Sequence, residues 1–240
     1  MHFHLPKPLH GWRAFAGEVG IIVLGVLIAL IAQQFAQSLQ WRSDVRDFRS
    51  AVDSELEFDL AASEYRVRES PCVKHRLAEL EQWSAAQHAG RALPLLREIG
   101  FPRRINPDTA VWNSRGADLP AHVPIQARLA YSDLYDLIAN QWELIEAERE
   151  TWLGLNGFNH ATKLSPDNLV RLDELVFRAK TLDELIVGDN RDFGTDKASL
   201  RLHPSFGRFA DEIQAPPAEF CMPLLAKEAG KEGAPLGRTS

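Results

Sequence analysis

The sequence lacks the short motifs that identify the common enzyme classes. It contains no Gly-x-Gly-x-x-Gly or Gly-x-x-x-x-Gly-Lys-Ser/Thr loop for phosphates, no Gly-x-Ser-x-Gly turn and no His-Glu-x-x-His pair. Its two cysteines and eight histidines do not complete a metal-ligand set. Acidic residues at helical spacing could pair for acid–base chemistry or metal binding, but no Glu-x-x-His accompanies them: Glu55, Glu57, Asp59, Glu143, Glu146 and Glu150. We therefore predict no catalytic residue, cofactor or metal site.

An excess of positive charge is also absent. Without Lys7, Arg13 and Glu18, the 27 basic and 33 acidic residues leave a formal charge of −7 beyond residue 37. Because nucleic acid attracts basic surfaces, this sign disfavours nucleic-acid binding. The composition, 45% apolar and 25% charged, is that of an ordinary globular chain, so we expect one domain beyond the N-terminal segment.

One long apolar run stands near the start of the chain. Val19 to Ala32 contains no polar side chain, and the apolar stretch extends over the 23 residues 14–36. At about 1.5 Å per residue, a helix of this length spans a roughly 30 Å hydrocarbon core. Trp12 and Trp41 bracket it where indoles favour the headgroup level. We predict one transmembrane helix, in contact with membrane lipid.

Two alternatives compete with the anchor. A cleaved signal peptide would use Ala36-Gln37-Ser38 as a weak cleavage site, and a core helix of a soluble protein would have to be buried on every side. Glu18 inside the run, Phe35 just before the cleavage site and the helical pattern beyond it favour an uncleaved anchor.

Glu18, the one ionisable residue of the span, begins a face of small residues. Steps of three or four place the following residues on one side of the helix with Glu18: Ile22, Gly25, Ala29, Ala32 and Ala36. Small residues let two helices approach closely, so this face is a candidate helix–helix interface, for self-association or for a partner's transmembrane helix. Glu18 also lies about one turn from the interface, where a carboxylate can reach headgroups or take up a proton.

Local charge and the cysteines give different indications of orientation. Two basic residues precede the span and three follow it, which slightly favours a cytoplasmic C-terminus, although long domains translocate largely regardless of such charges. Cys72 and Cys221 could form a disulfide, which requires an oxidising compartment, or remain two buried thiols.

The pattern beyond the anchor predicts an all-α fold in which the transmembrane helix continues into an antiparallel helical bundle. We expect one rod to end at Ser70-Pro71, because proline disfavours helical geometry in the residue before it. Further helices are expected from Cys72 to Ala89, at 108–115, at 125–155 and from 166 to about 188. On the third of these, the glutamates are assigned to the solvated side: Glu143, Glu146, Glu148 and Glu150.

Prolines and glycines make the stretch from 90 to 124 irregular. If the domain binds a ligand we expect the site here, although a mere connection explains the stretch as well. The apolar cluster 220–225 is expected to dock on the bundle. The predicted division is a tail at 1–13, a transmembrane helix at 14–36, a helical extracytoplasmic domain at 37–225 and a disordered tail at 226–240.

Residues 17–34, reading GEVGIIVLGVLIALIAQQ, resemble the N-terminal anchor of uncharacterised bacterial single-pass membrane proteins, which hold a Gly-Glu followed by Gly-x-Leu-Ile-Ala-Leu. The resemblance is strongest over the first 60 residues and continues loosely to a Cys-x-Pro-Leu end at 221–224. It carries no known activity. What it implies is a layout in the bacterial inner membrane: a short cytoplasmic tail, one anchor and a periplasmic helical domain.

Three functions remain, in order of preference. The first is a membrane-anchored interaction or structural module of the cell envelope, acting as a homodimer or with an envelope protein partner. The second is a ligand-sensing helical bundle that signals through a membrane partner, because the few residues before the span cannot fold into an output domain. The third is an enzyme.

Overall fold

The computed structural model describes residues 11–114, 120–207, 210 and 218–226, and these contain helices but no β-strand. The helices are α1 (Gly11–His88), α2 (Ala110–Ser114), α3 (Ile125–Asn156), α4 (Pro166–Asp189), α5 (Gly194–Leu200) and α6 (Ala218–Cys221), with a 3-10 turn at Pro120–His122. The predicted all-α fold is confirmed. The predicted tails fall largely on residues 1–10 and 227–240, which lie outside the described residues.

Two compact units divide the chain. The first comprises residues 1–51 and 115–123, and the second comprises 52–114 and 124–240. In the first unit, α1 carries the one described segment that is long and apolar enough to cross a membrane. None of the residues in its most apolar 18-residue window is buried, as expected of a helix that lipid would cover.

Helix α1 does not end at Ser70-Pro71, so the predicted break there is wrong. The helix passes through Pro71 and continues to His88. Proline inside a helix costs about 3 kcal/mol, but here its ring is exposed, so the carbonyl that it leaves unpaired is on the side open to water. On the inner side the Ser70 hydroxyl donates to the Asp183 carboxylate at 2.7 Å, and Val73 and Leu77 are fully buried. These contacts outweigh the local preference of proline.

Contacts across the second unit give the helix directions. Along α4 the partners run backwards relative to α1, with Ser70 bonded to Asp183 and Ser84 bonded to Asp173. Along α3 they run forwards, because Tyr131 bonds Asp53 and the later Glu148 bonds Arg66. Helix α4 is therefore antiparallel to α1, whereas α1 and α3 are parallel.

The parallel pair requires the chain to return along α1 between them. Helix α1 ends within one residue of the predicted Ala89, Gly90 follows at φ +67°, and the Arg91 N–H donates to the Ala86 carbonyl at 2.8 Å. Residues 91–109, here called the return segment, then run back beside α1: Arg103 lies at Glu69 and Asp108 at Asp59. The irregular stretch is thus largely a connection that the topology demands.

The later helices agree with their sequence signals. Helices α3 and α4 begin and end close to the predicted residues, and α4 is capped by the Ser165 hydroxyl, which accepts from the Asn168 N–H at 3.3 Å. Leu80, Trp83 and Trp152 are fully buried in the core, together with part of the C-terminal cluster. That cluster docks as predicted, through Phe220, Leu224 and Leu225.

Candidate functional site

The six residues of the candidate helix–helix interface all lie in α1 and are all exposed: Glu18, Ile22, Gly25, Ala29, Ala32 and Ala36. A Cβ added at Gly25 would meet no atom within 4 Å. The described part of the chain therefore leaves this face open along its whole length. A second helix could approach its backbone closely, as small residues allow in membranes.

The two cysteines form a disulfide between α1 and α6. The Sγ atoms of Cys72 and Cys221 are 1.99 Å apart and their Cα atoms are 4.8 Å apart. One turn further along α1, the Arg76 guanidinium donates to the carbonyls of Phe220 at 2.8 Å and Met222 at 2.9 Å. The Glu79 carboxylate accepts the backbone N–H of Leu224 at 2.8 Å. The C-terminal segment is thus fixed by one covalent bond and by buried charged side chains on α1.

A row of carboxylates on α1 holds the return segment and the start of α2. Glu69 accepts the Arg103 N–H at 3.1 Å, and Asp59 accepts the Asp108 N–H at 2.7 Å. These side chains supply the hydrogen bonds that an irregular backbone cannot make within itself. The row therefore fixes the path of the connection rather than leaving it free as a binding loop.

Glu55 is the most heavily used carboxylate of this row. It accepts the N–H groups of Val111 at 2.6 Å and of Trp112 at 3.2 Å, which are unsatisfied donors at the start of α2. The Tyr135 hydroxyl from α3 also donates to it. The rings of Trp112 and Tyr135 stack with centroids 4.7 Å apart. One buried carboxylate therefore joins α1, α2 and α3.

Burial raises the pKa of several ionisable side chains in this region. Desolvation raises the pKa of Asp59 to about 8, although the Asp108 N–H lowers it and the nearby charge of Glu55 adds to the rise. Desolvation also raises the pKa of Glu69 to about 7, against the lowering by Arg66. Burial and then the hydrogen bond to Glu55 raise the pKa of the Tyr135 hydroxyl. Asp59 and Glu69 are thus carboxyl groups that titrate near neutrality.

A buried ion cluster joins the three long helices. The Arg66 guanidinium of α1 donates to both oxygens of Glu148 on α3, through Nε at 2.8 Å and through Nη2. Its Nη2 also lies 2.9 Å from the Asp183 carboxylate of α4, which in turn accepts from Ser70. All three charged side chains are at least 97% buried. We call Arg66, Glu148 and Asp183 the charged triad.

The sequence assignment of Glu148 to the solvated side of its helix is wrong. Glu148 is buried because it lies seven residues, or about two turns, after Gln141 and four residues before Trp152, within the core-facing stripe of α3. Arg66 and Asp183 occupy the corresponding stripes of α1 and α4. Charged residues at core-stripe positions of three helices were the signal that could have revealed the triad.

The free space next to these groups is small. A cavity of about 20 Å³ lies between Asp59, Arg66, Gln141 and Trp142, and one oxygen of Asp59 and one nitrogen of Arg66 have no hydrogen-bond partner there. That volume accommodates about one water molecule. Two larger depressions lie between α1 and α4, one of about 380 Å³ beside the 72% exposed Phe177 and one of about 170 Å³ beside Lys74.

Four of the six acidic residues considered for chemistry have structural partners. Glu55 and Asp59 bind backbone N–H groups, and Glu57 accepts the His203 N–H at 2.9 Å. Glu146 forms an ion pair with Arg104 at 2.6 Å. Within the described ranges, no three His, Cys, Asp or Glu residues are grouped as metal ligands.

Comparisons with protein-family models, with curated proteins and with solved structures returned no match for this chain.

Proposed function

We propose that this protein is a membrane-anchored helical interaction module of the cell envelope, which associates through the small-residue face of α1 with a second copy of itself. The observation that carries the proposal is that face, which runs from Glu18 to Ala36 and is uncovered throughout. Without a hydrophobic driving force between helices in lipid, close backbone approach at small residues is what favours association. A partner's transmembrane helix is the other occupant that fits.

The disulfide supports a placement for the domain. A bond between Cys72 and Cys221 persists in an oxidising compartment and is rare in the cytosol. Together with the anchor at 14–36, it favours a single-pass protein of the bacterial inner membrane whose domain lies in the periplasm. The basic residues after the span do not oppose this orientation strongly, because long domains translocate largely regardless of local charge.

Cavity size favours this function over a ligand sensor or an enzyme. Small-molecule sites usually have volumes of roughly 300–1,000 Å³ and enclose most of the ligand. The cavity beside Asp59, where a carboxyl group has a pKa near neutrality, is about 20 Å³. The depression of about 380 Å³ beside Phe177 is an open surface groove. A surface of this kind suits contact with a macromolecule better than enclosure of a small ligand.

The test is crosslinking of the full-length protein in its native membrane, followed by mass spectrometry with and without reductant. A photo-crosslinking residue placed at Ala29 should yield an adduct of two copies, whereas one at Leu27, on the opposite side of the helix, should not. A reductant-sensitive peptide containing Cys72 and Cys221 would agree with the periplasmic placement.

Two leucine substitutions distinguish a specific helix–helix interface from a general effect of side-chain size. Gly25→Leu obstructs the small-residue face, and Gly20→Leu adds the same side chain on the opposite face, where an added Cβ also meets nothing. We expect Gly25→Leu to reduce the self-adduct at least several-fold and Gly20→Leu to leave it unchanged. Equal effects of the two variants, or no adduct with any membrane protein from Ala29, would refute the proposal.

A further inference from the structure

The segment of α1 just beyond the apolar run carries charges of opposite sign on opposite sides. Arg42 and Arg46 are exposed and lie one turn apart on the same side. Asp44 and Asp47 are displaced from Arg42 by roughly 140–200° around the helix. Arg49 continues the basic side but is half-buried. The helix therefore presents two exposed guanidinium groups in one direction and two carboxylates in another.

The position of Trp41 indicates how deep these arginines lie relative to a bilayer. Its ring stacks on His122 of the 3-10 turn, with centroids 4.1 Å apart. Indoles favour the headgroup region, whose thickness is roughly 5–7 Å on each side of the hydrocarbon core. Along a helix, Arg42 lies about 1.5 Å and Arg46 about 7.5 Å beyond Trp41. Both guanidinium groups can thus reach the layer of lipid phosphates, since long side chains bend back towards it.

We infer that Arg42 and Arg46 form a binding site for the phosphodiester of an anionic phospholipid. A guanidinium presents paired N–H donors that match two phosphate oxygens, and two of them on one helix side can hold one headgroup between them. The carboxylates of Asp44 and Asp47 would repel the same headgroup, so the lipid is held on the basic side alone.

This lipid site and the proposed helix–helix seam use different sides of α1. Relative to Glu18, the small-residue face is centred near 0°, whereas Arg42 and Arg46 lie at roughly 240° and 280°. A second copy at Gly25 therefore leaves the basic side in contact with lipid. The inference goes beyond self-association and requires only that the segment spans the membrane.

The experiment places the full-length protein in nanodiscs of phosphatidylcholine with or without phosphatidylglycerol and counts retained lipids by native mass spectrometry. We expect the unmodified chain to retain phosphatidylglycerol in preference to phosphatidylcholine. Because each arginine near a membrane surface contributes about 1 kcal/mol, Arg42→Gln with Arg46→Gln should reduce that preference by about thirtyfold. The matched control, Arg171→Gln with Arg178→Gln, removes two exposed arginines of α4 and should leave the preference unchanged.

Further arms identify the source of the phosphate and separate the two proposals. Glycerophosphate added to phosphatidylcholine nanodiscs should bind at least tenfold more weakly than the lipid, and equal binding would overturn the lipid assignment. Absence of a lipid preference, or equal losses in both double variants, would also overturn it. If the Gly25→Leu test fails while the lipid preference is intact, only the proposed self-association is refuted. If the protein does not incorporate into nanodiscs, both proposals are refuted.

Discussion

At the scale of single residues, carboxylates of α1 accept backbone N–H groups that a helix or sheet would otherwise pair. The return segment forms one isolated backbone bridge, in which the Leu96 N–H donates to the Leu224 carbonyl at 2.8 Å. Farther along, its N–H groups bond to Glu69 and Asp59, and Glu55 accepts those at the start of α2. Buried acceptors of this kind are costly to ionise but also costly to remove, because each removal leaves a buried N–H unpaired. Two predictions follow from the balance of these costs.

The first concerns Asp59, whose pKa is raised from 3.8 to about 8. Because the folded state binds an extra proton between these values, its contribution to stability is greatest below about pH 4 and is lost as the pH rises towards 8. Asp59→Asn keeps an oxygen for the Asp108 N–H but cannot ionise. We compare the free energy of unfolding of the variant with that of the unmodified chain at each pH. This difference should be about 2–4 kcal/mol more favourable to the variant at pH 8 than at pH 5.

Denaturant unfolding of both proteins from pH 4 to 9 measures this difference. Asp136→Asn, which neutralises an exposed carboxylate of α3, is the matched control and should parallel the unmodified chain. A pH dependence that is unaltered by Asp59→Asn would show that this carboxyl is not the group that titrates. Glu69, with its pKa of about 7, should retain part of the dependence.

The second concerns Glu55, whose two oxygens receive three hydrogen bonds. Glu55→Gln replaces one acceptor by an amide that points its own N–H groups at buried donors. We expect a loss of about 1–3 kcal/mol in the free energy of unfolding. The same change at the exposed Glu143 should stay within about 0.5 kcal/mol. A cost at Glu55 no larger than at Glu143 would mean that the carboxylate does not hold α2.

At the scale of elements, the charged triad joins α1, α3 and α4 at a point where apolar residues would suffice for packing. Each charge has left water, and attraction between the three offsets that penalty only while all are present. Arg66 alone faces both carboxylates, so its loss leaves Glu148 without its cation and Asp183 with only the more distant, exposed Lys74, whose Nζ lies 3.9 Å away. Variants of the triad therefore test whether these buried charges stabilise the fold or only determine which helices pack together.

Arg66→Met should destabilise the protein by about 3–5 kcal/mol, because it leaves the buried Glu148 unpaired and removes the buried partner of Asp183. Replacing the set with apolar residues (Arg66→Met, Glu148→Leu, Asp183→Leu, with Ser70→Ala to remove the orphaned hydroxyl) should restore the free energy of unfolding or exceed it. Denaturant titration of both variants gives the comparison. If the fourfold variant is as unstable as the single one, the triad contributes net stability.

Sequence periodicity captured the elements whose determinants are local. The bounds of α3 and α4 depend on short-range features such as the Ser165 cap, and the structure places both helices close to the predicted residues. The break expected at Pro71 failed because contacts from α4 lie far away in sequence. The triad and the partners of Glu55 and Asp59 could not be predicted for the same reason, since they depend on which helices are neighbours.

At the scale of the whole molecule, one bond closes the chain over most of its length. The disulfide joins residues 149 apart in sequence, so most of the second unit lies within the loop that it closes. Crosslinks that close long loops remove the most freedom from the unfolded chain. Around the bond, Arg76 and Glu79 hold the same segment by hydrogen bonds. The stability of the second unit is therefore expected to depend on the redox state of the compartment in which it lies.

Cys72→Ser with Cys221→Ser should lower the free energy of unfolding by up to about 5 kcal/mol, the loop-entropy value for a separation of this size. At about 2–4 °C per kcal/mol, the Tm should fall by roughly 10–20 °C. Reductant should lower the Tm of the unmodified chain by the same amount and leave the double variant unchanged, because only the former has a bond to break. A reductant-insensitive Tm in the unmodified chain, together with two thiols that alkylate in intact membranes, would contradict the bond and with it the placement of the domain in an oxidising compartment.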